Sequence, residues 1–121
     1  MKTILLADDE ANLRMLVHTT LDDPQYHILE AADGSTALAL AKQEHPDLLV
    51  LDWMMPGMTG VEVARALRND VQTAHIPIIM LTAKGQEKDK EQGRTLGAYA
   101  YLVKPFSPLE LLEKVQEALE Q

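Results

Sequence analysis

Cysteine is absent from the 121 residues, which removes disulfide frameworks, thiolate metal sites and cysteine nucleophiles at once and fits a reducing compartment. Positive charge is scarce: 11 Lys and Arg stand against 19 Asp and Glu, a formal net charge of -8. Nucleic acid and anionic membranes both reward clustered cations, so neither is expected as a direct partner, and a protein or a cation is favoured. Long apolar runs are also missing. The opening Met1-Lys2-Thr3-Ile4-Leu5-Leu6-Ala7 starts like a leader, but Asp8, Asp9 and Glu10 end it before an apolar core of about 7 to 15 residues is complete. No later run approaches the roughly 20 residues needed to span a bilayer, so a soluble protein without membrane insertion is expected. No glycine-rich P-loop or dinucleotide fingerprint occurs, and there is no internal repeat, linker or low-complexity tract.

What is present is an ordinary globular composition, 46% hydrophobic and 25% charged, at a length suited to one domain over 1–121. Short apolar runs at 3–7, 26–31, 47–51, 77–81 and 98–103 alternate with segments of helical period. That alternation predicts five strand–helix units around a doubly wound parallel sheet, an α/β fold. Leu48-Leu49-Val50-Leu51 and Ile78-Ile79-Met80-Leu81 are apolar without alternation, as strands buried on both faces require. Leu13, Leu16, Val17, Thr20 and Leu21 share one face of a first helix. Ala37, Leu38 and Ala41 share a face of a second, with Asp33 as its cap. Thr59-Gly60-Val61-Glu62 and Ser107-Pro108-Leu109-Glu110 read as capping boxes opening a third and a fifth helix. Val63, Ala64 and Leu67 line the third, and Leu109, Leu112, Val115 and Leu119 the fifth. The fourth connection, 84–95, is polar and carries Gly85 and Gly93, so a weak and mobile helix is expected there.

Ligands of such sheets bind beyond the carboxyl ends of the strands, so the residues that follow each strand are informative. They are Asp8 and Asp9, then Asp52, Thr82, and Lys104 before Pro105, while the second strand ends in Ala31 and Ala32. With strand order 2-1-3-4-5 the four polar ends are adjacent. Three carboxylates at one edge would repel one another unless a cation sits among them. All-oxygen ligands suit a hard ion, and Mg2+ typically takes one or two carboxylates, keeps waters and engages a phosphate oxygen. With the Lys104 ammonium and the Thr82 hydroxyl added, the set reads as a phosphoryl site with Asp52 as nucleophile. Each residue also has a plain alternative: Asp8 and Asp9 as acids capping the first helix, Asp52 before a turn at Pro56 and Gly57, Thr82 ending a strand, Lys104 on the surface. Their convergence argues for the joint reading.

The ordered set of Ala7-Asp8-Asp9-Glu10, Asp52-Trp53-Met54-Met55-Pro56-Gly57-Met58-Thr59-Gly60, Leu81-Thr82-Ala83 and Gly97 through Lys104-Pro105-Phe106 resembles the receiver domain of bacterial response regulators over essentially the whole chain. The resemblance implies a flavodoxin-like, cytoplasmic switch in a two-component phosphorelay. Asp8, Asp9, Asp52 and the Met54 backbone carbonyl would hold Mg2+. Asp52 would accept a phosphoryl group from a sensor histidine kinase or a histidine phosphotransfer protein. Lys104 would pair with that group, and Thr82 and Tyr101 would move, reshaping the face of the fourth helix, fifth strand and fifth helix toward an output protein that the sequence does not name. A phosphorylation-dependent dimer through that face is compatible with the pattern. Kinase docking is expected near Asn12, Met15 and the Pro105-Phe106 loop, and the Lys104-Pro105 bond is expected to be cis. Tyr99 is expected on the same strand face as Tyr101. Gly93 and Arg94 depart from the family's apolar helix positions, and Met54 and Lys84 fall at variable positions beside the acceptor.

Self-phosphorylation and slow self-dephosphorylation are the only reactions implied, so the protein is not expected to be an enzyme. A stand-alone regulator is the literal expectation from a chain ending at Gln121, and the receiver portion of a longer DNA-binding or enzymatic regulator is the alternative. A Mg2+-dependent phosphohydrolase of the haloacid dehalogenase type would need an acid two residues after the nucleophile, where Met54 stands. A flavin carrier would need a phosphate loop where Asp8-Asp9-Glu10 would repel phosphate. The four histidines, His18, His27, His45 and His75, show no zinc-ligand spacing.

Overall fold

Five short, mainly apolar runs become strands, and each of the first three connections between them crosses over through a helix. The computed structural model describes residues 1–83 and 97–120. The elements are β1 (Lys2–Ala7), α1 (Ala11–Thr20), β2 (Tyr26–Ala31), α2 (Gly34–Glu44), β3 (Leu48–Asp52), α3 (Gly60–Arg68), β4 (Ile78–Ala83), β5 (Ala100–Lys104) and α4 (Pro108–Leu119). All neighbouring strands are parallel, in the order β2-β1-β3-β4-β5. Five helices were expected, and four stand among the described residues. The connection 84–95, with Lys84, Gly85, Gly93 and Arg94, lies outside the described residues, and α4 is the helix expected as the fifth.

The unalternating runs behave as predicted: every residue of β3 is buried, as are the first five of β4. The sheet separates two apolar layers. On one side Leu5, Leu49, Leu51, Ile78 and Met80 pack with Ala37 and Ala41 of α2 and Val61, Val63, Ala64 and Leu67 of α3. On the other, Ile4, Leu6, Leu48, Val50, Ile79 and Leu81 pack with Val17 and Leu21 beside α1 and Leu111, Val115 and Ala118 of α4.

Two helix faces differ from the sequence expectation. In α1 Val17 is buried, as is Leu21 just after it, but Leu16 is exposed. In α4 the buried set is Leu111, Val115 and Ala118, whereas Leu109 is 65% exposed and Leu112 and Leu119 only line the edge of the core. Both helices carry more apolar positions than one layer can cover, so the outermost leucines remain in solvent.

Three of the four described helices start at side-chain caps, and α1 follows Glu10 without one. Thr59 and Glu62 form the full reciprocal box at α3, Asp33 accepts from the Thr36 N–H at α2, and the Ser107 hydroxyl accepts from the Glu110 N–H at α4 behind Pro108. Gly60 lets α3 begin directly against the end of β3: its N–H donates to the Trp53 carbonyl at 3.0 Å, and a methyl group there would overlap the Asp52 carbonyl oxygen. Arg68 closes the far end of α3 by donating to the carbonyls of Ala74, Ile76 and Gly97.

Candidate functional site

Because all five strands run the same way, their carboxyl ends meet at one edge, and the register decides which residues become neighbours. Ala7 pairs with Leu51, Asp52 with Leu81, Thr82 with Val103, and Ala83 with Lys104. The residue after β1, the last residue of β3, and the ends of β4 and β5 therefore form a row, as strand order 2-1-3-4-5 predicts.

Asp8 is fully buried and Asp52 nearly so, while Asp9 is exposed at the rim. One carboxylate oxygen from each of the three lies within 4.8 Å of the other two. The Lys104 side chain crosses from β5 to reach Asp8 Oδ2 at 3.0 Å and Asp52 Oδ1 at 3.2 Å, with Glu10 Oε1 at 3.6 Å. Burial and the neighbouring Asp8 charge push the Asp52 carboxyl up to about 6 against the opposing pull of Lys104. The Lys104 pKa is also raised: burial would lower it, but the bonds to Asp8 and Asp52 outweigh burial, so the ammonium stays charged. One half-buried cation thus faces two buried carboxylates, with a third carboxylate beside them.

The Thr82 hydroxyl is buried and has no hydrogen-bond partner among the described residues. Such an atom costs about 1–3 kcal/mol unless a ligand satisfies it. Three hard oxygen donors in excess of one ammonium, beside an orphan hydroxyl, fit a divalent cation together with an oxyanion. Met54 is 55% exposed two residues after Asp52, whereas Trp53 is buried. The Lys104-Pro105 peptide is cis, as expected.

Tyr101 is half-buried on the layer formed with α2 and α3. Tyr99 packs against the opposite layer, its hydroxyl 3.5 Å from Glu117 Oε2 of α4. The expectation that the two tyrosines share a face is therefore corrected. Tyr99 lies before the first residue of β5, where strand alternation does not yet apply. Sequence reasoning also missed Glu10 as a neighbour of Lys104, and it missed Arg14, whose Nη1 donates to the Asp8 carbonyl at 2.7 Å. No periodicity signals either contact, because each depends on a long side chain reaching across a loop.

A groove of about 360 Å³ adjoins the site between α1 and the loop after β5, lined by Glu10, Leu13, Leu16, Lys104, Pro105 and Phe106. A second cavity, of about 370 Å³, lies at the amino ends of the strands beside His45, Asp47 and His75, away from this chemistry. No helix among the described residues is long and apolar enough to cross a membrane.

Residues 4–116 match the model of the response regulator receiver domain. The chain is 48% identical over 118 residues to the phosphate regulon transcriptional regulatory protein PhoB of Pseudomonas aeruginosa, covering 98% of this chain and 52% of that protein. It is 46% identical over 116 residues to the probable transcriptional regulator ycf27 of Porphyridium aerugineum, covering 96% of this chain and 47% of that one. Among solved structures, the chemotaxis response regulator CheY4 of Vibrio cholerae superposes with a TM-score of 0.90 at 40% identity, over 98% of this chain and 99% of that one. The chain spans about half the length of the two curated relatives.

Proposed function

Because this chain belongs to the response regulator receiver domain family, we propose that it works as a phosphorylation-dependent switch whose acceptor is Asp52. The observation that carries this reading is the buried Asp52 carboxylate held between Asp8 and the Lys104 ammonium, 3.2 Å away, beside the orphan Thr82 hydroxyl.

An Asp52 oxygen attacks the phosphorus of a phosphohistidine carried by a sensor kinase or phosphotransfer protein. The P–N bond breaks, its electron pair returns to the imidazole, and an acyl phosphate remains on Asp52. Asp8, Asp9, Asp52 and the Met54 carbonyl would hold Mg2+, which when bound supplies positive charge to the carboxylates and the phosphoryl oxygens. Lys104 exchanges its carboxylate partner for a phosphoryl oxygen, and Thr82 gains the acceptor it lacks. Movement of Thr82 then draws Tyr101 inward and reshapes the surface of β5 and α4 that meets an output protein. The chain turns over no external substrate; its chemistry is confined to gaining and losing its own phosphoryl group. The kinase docks on the groove beside Lys104, where Leu16 is 44% exposed, and on the adjoining α1 surface at Met15, which is 68% exposed. A kinase charged from a nucleotide implies a cytoplasmic setting.

A second reading has its own support: the chain covers about half of relatives named as transcriptional regulators, which suits the receiver portion of a longer DNA-binding protein. In that setting the same switch would control an attached domain or a dimer rather than a separate partner.

The test is intact mass after incubation with acetyl phosphate, with and without Mg2+, on the native chain and on Asp52→Asn. One Mg2+-dependent phosphoryl adduct, absent from the variant, is expected. An adduct that persists in Asp52→Asn, or none on the native chain under conditions that modify a known receiver, overturns the assignment.

A further inference from the structure

The acidic turn after β1 is held from outside the site. Each polar group of Asp8 has a partner. Its N–H donates to the Ala31 carbonyl at 3.1 Å, its Oδ1 accepts from the Glu10 N–H at 2.9 Å, and its Oδ2 accepts from Lys104 at 3.0 Å. Its carbonyl accepts from Arg14 Nη1 at 2.7 Å, the shortest of the four. The first three bind Asp8 to the neighbouring strand, its own loop and the acceptor site. The fourth comes from α1.

The Arg14 guanidinium is itself fixed. Its Nε donates to Glu30 Oε1 on β2 at 3.2 Å, and the other Glu30 oxygen meets His18 Nδ1 at 2.7 Å. A planar fork held through its Nε by a carboxylate that His18 also holds presents its Nη1 donor in a set direction. As an ion pair, Arg14 and Glu30 are partly exposed and add little to stability. The carbonyl contact differs because it acts on a residue with no solvent exposure.

We propose that Arg14 is a positioning residue for the cation site: by clamping the Asp8 carbonyl it fixes the turn that presents the Asp8 and Asp9 carboxylates, while Glu30 holds the guanidinium in register. This rests on the reading of Asp8, Asp9 and Asp52 as Mg2+ ligands. A small divalent ion that demands near-octahedral geometry is sensitive to such support, and outer-shell partners of metal ligands commonly change affinity by about 10–100-fold. Charge alone predicts the opposite sign. Arg14 is a cation near the site, so its removal should tighten Mg2+ binding if electrostatics were its whole contribution.

The test is an Mg2+ titration at fixed ionic strength, followed by amide chemical shifts of the full chain, for the native protein, Arg14→Met, Arg14→Lys, Glu30→Ala and Glu30→Gln. Urea midpoints in EDTA verify folding. Arg14→Met is expected to weaken Mg2+ about tenfold or more. Arg14→Lys, which keeps the charge but loses the fork, should weaken it comparably. Glu30→Ala should weaken it severalfold, and Glu30→Gln, which retains an acceptor for Nε, should stay within about twofold of native. If Arg14→Met does not fold, the Glu30 pair decides. Native binding with unchanged or tighter affinity in Arg14→Met, or in Glu30→Ala where that pair decides, overturns the inference and leaves the Mg2+ reading standing. Absence of binding to the native chain overturns that reading instead.

Discussion

Asp52 is buried beside another buried carboxylate, and its folded state therefore keeps a proton that the unfolded chain gives up. With the carboxyl raised from an ordinary 3.8 to about 6, the folded form binds more protons than the unfolded form between those two values. Stability contributed by Asp52 is thus present below pH 4 and lost as pH rises to 6. At roughly 1.4 kcal/mol per pH unit, the loss is about 2–3 kcal/mol. Asp52→Asn should raise metal-free stability at pH 7 by about 2 kcal/mol and flatten its dependence from pH 4 to 6, read from urea midpoints in EDTA. Equal midpoints for the two proteins at pH 7 would contradict this electrostatic account. Thr82 makes a companion case. Thr82→Val removes an unpaired buried hydroxyl at nearly constant shape and should stabilise the unphosphorylated fold by about 1 kcal/mol, while abolishing the Thr82-dependent shift of the Tyr101 ring signals after phosphorylation. At this scale the acidic triad, Thr82 and Lys104 could be read from sequence because each stands at or just beyond the carboxyl end of a strand, and parallel topology brings those ends to one edge. Arg14 and Glu10 could not, since their contacts depend on side-chain reach rather than on position in an element.

Among the elements, α3 is the one whose attachment to the acceptor strand is most constrained. Gly60 sits where any side chain would strike the Asp52 carbonyl, and the Thr59–Glu62 box fixes the first turn against it. Gly60→Ala should cost at least about 2 kcal/mol of stability in urea and slow phosphorylation of Asp52 by acetyl phosphate, because relief of the overlap moves either the helix or the acceptor. Retained stability together with a native rate would show that the approach relaxes freely. The sequence pattern named Val63, Ala64 and Leu67 of the buried face of α3 correctly and missed Val61. It misjudged α1 and α4 at Leu16 and Leu109, because an apolar stripe shows that a residue suits burial but not that enough protein lies opposite to cover it. The same excess leaves apolar side chains along the groove beside Lys104, so the error in packing coincides with the surface proposed for docking.

For the molecule as a whole, the parallel sheet followed from the alternation of elements and the strand order from the family resemblance, and together they carry the site. The two apolar layers share no buried residue, and the sheet stands between them. Val17 of α1 and Val63 of α3 lie in different layers, so Val17→Ala and Val63→Ala should each cost about 1–3 kcal/mol and combine additively within about 0.5 kcal/mol in a double-mutant cycle. A coupling well above that value would mean that strain passes through the sheet. Additivity has a consequence over generations. Descendants of such a chain can rewrite the α1 surface proposed for docking while the α3 side that seats Asp52 is inherited intact, so the two sides are free to evolve at different rates.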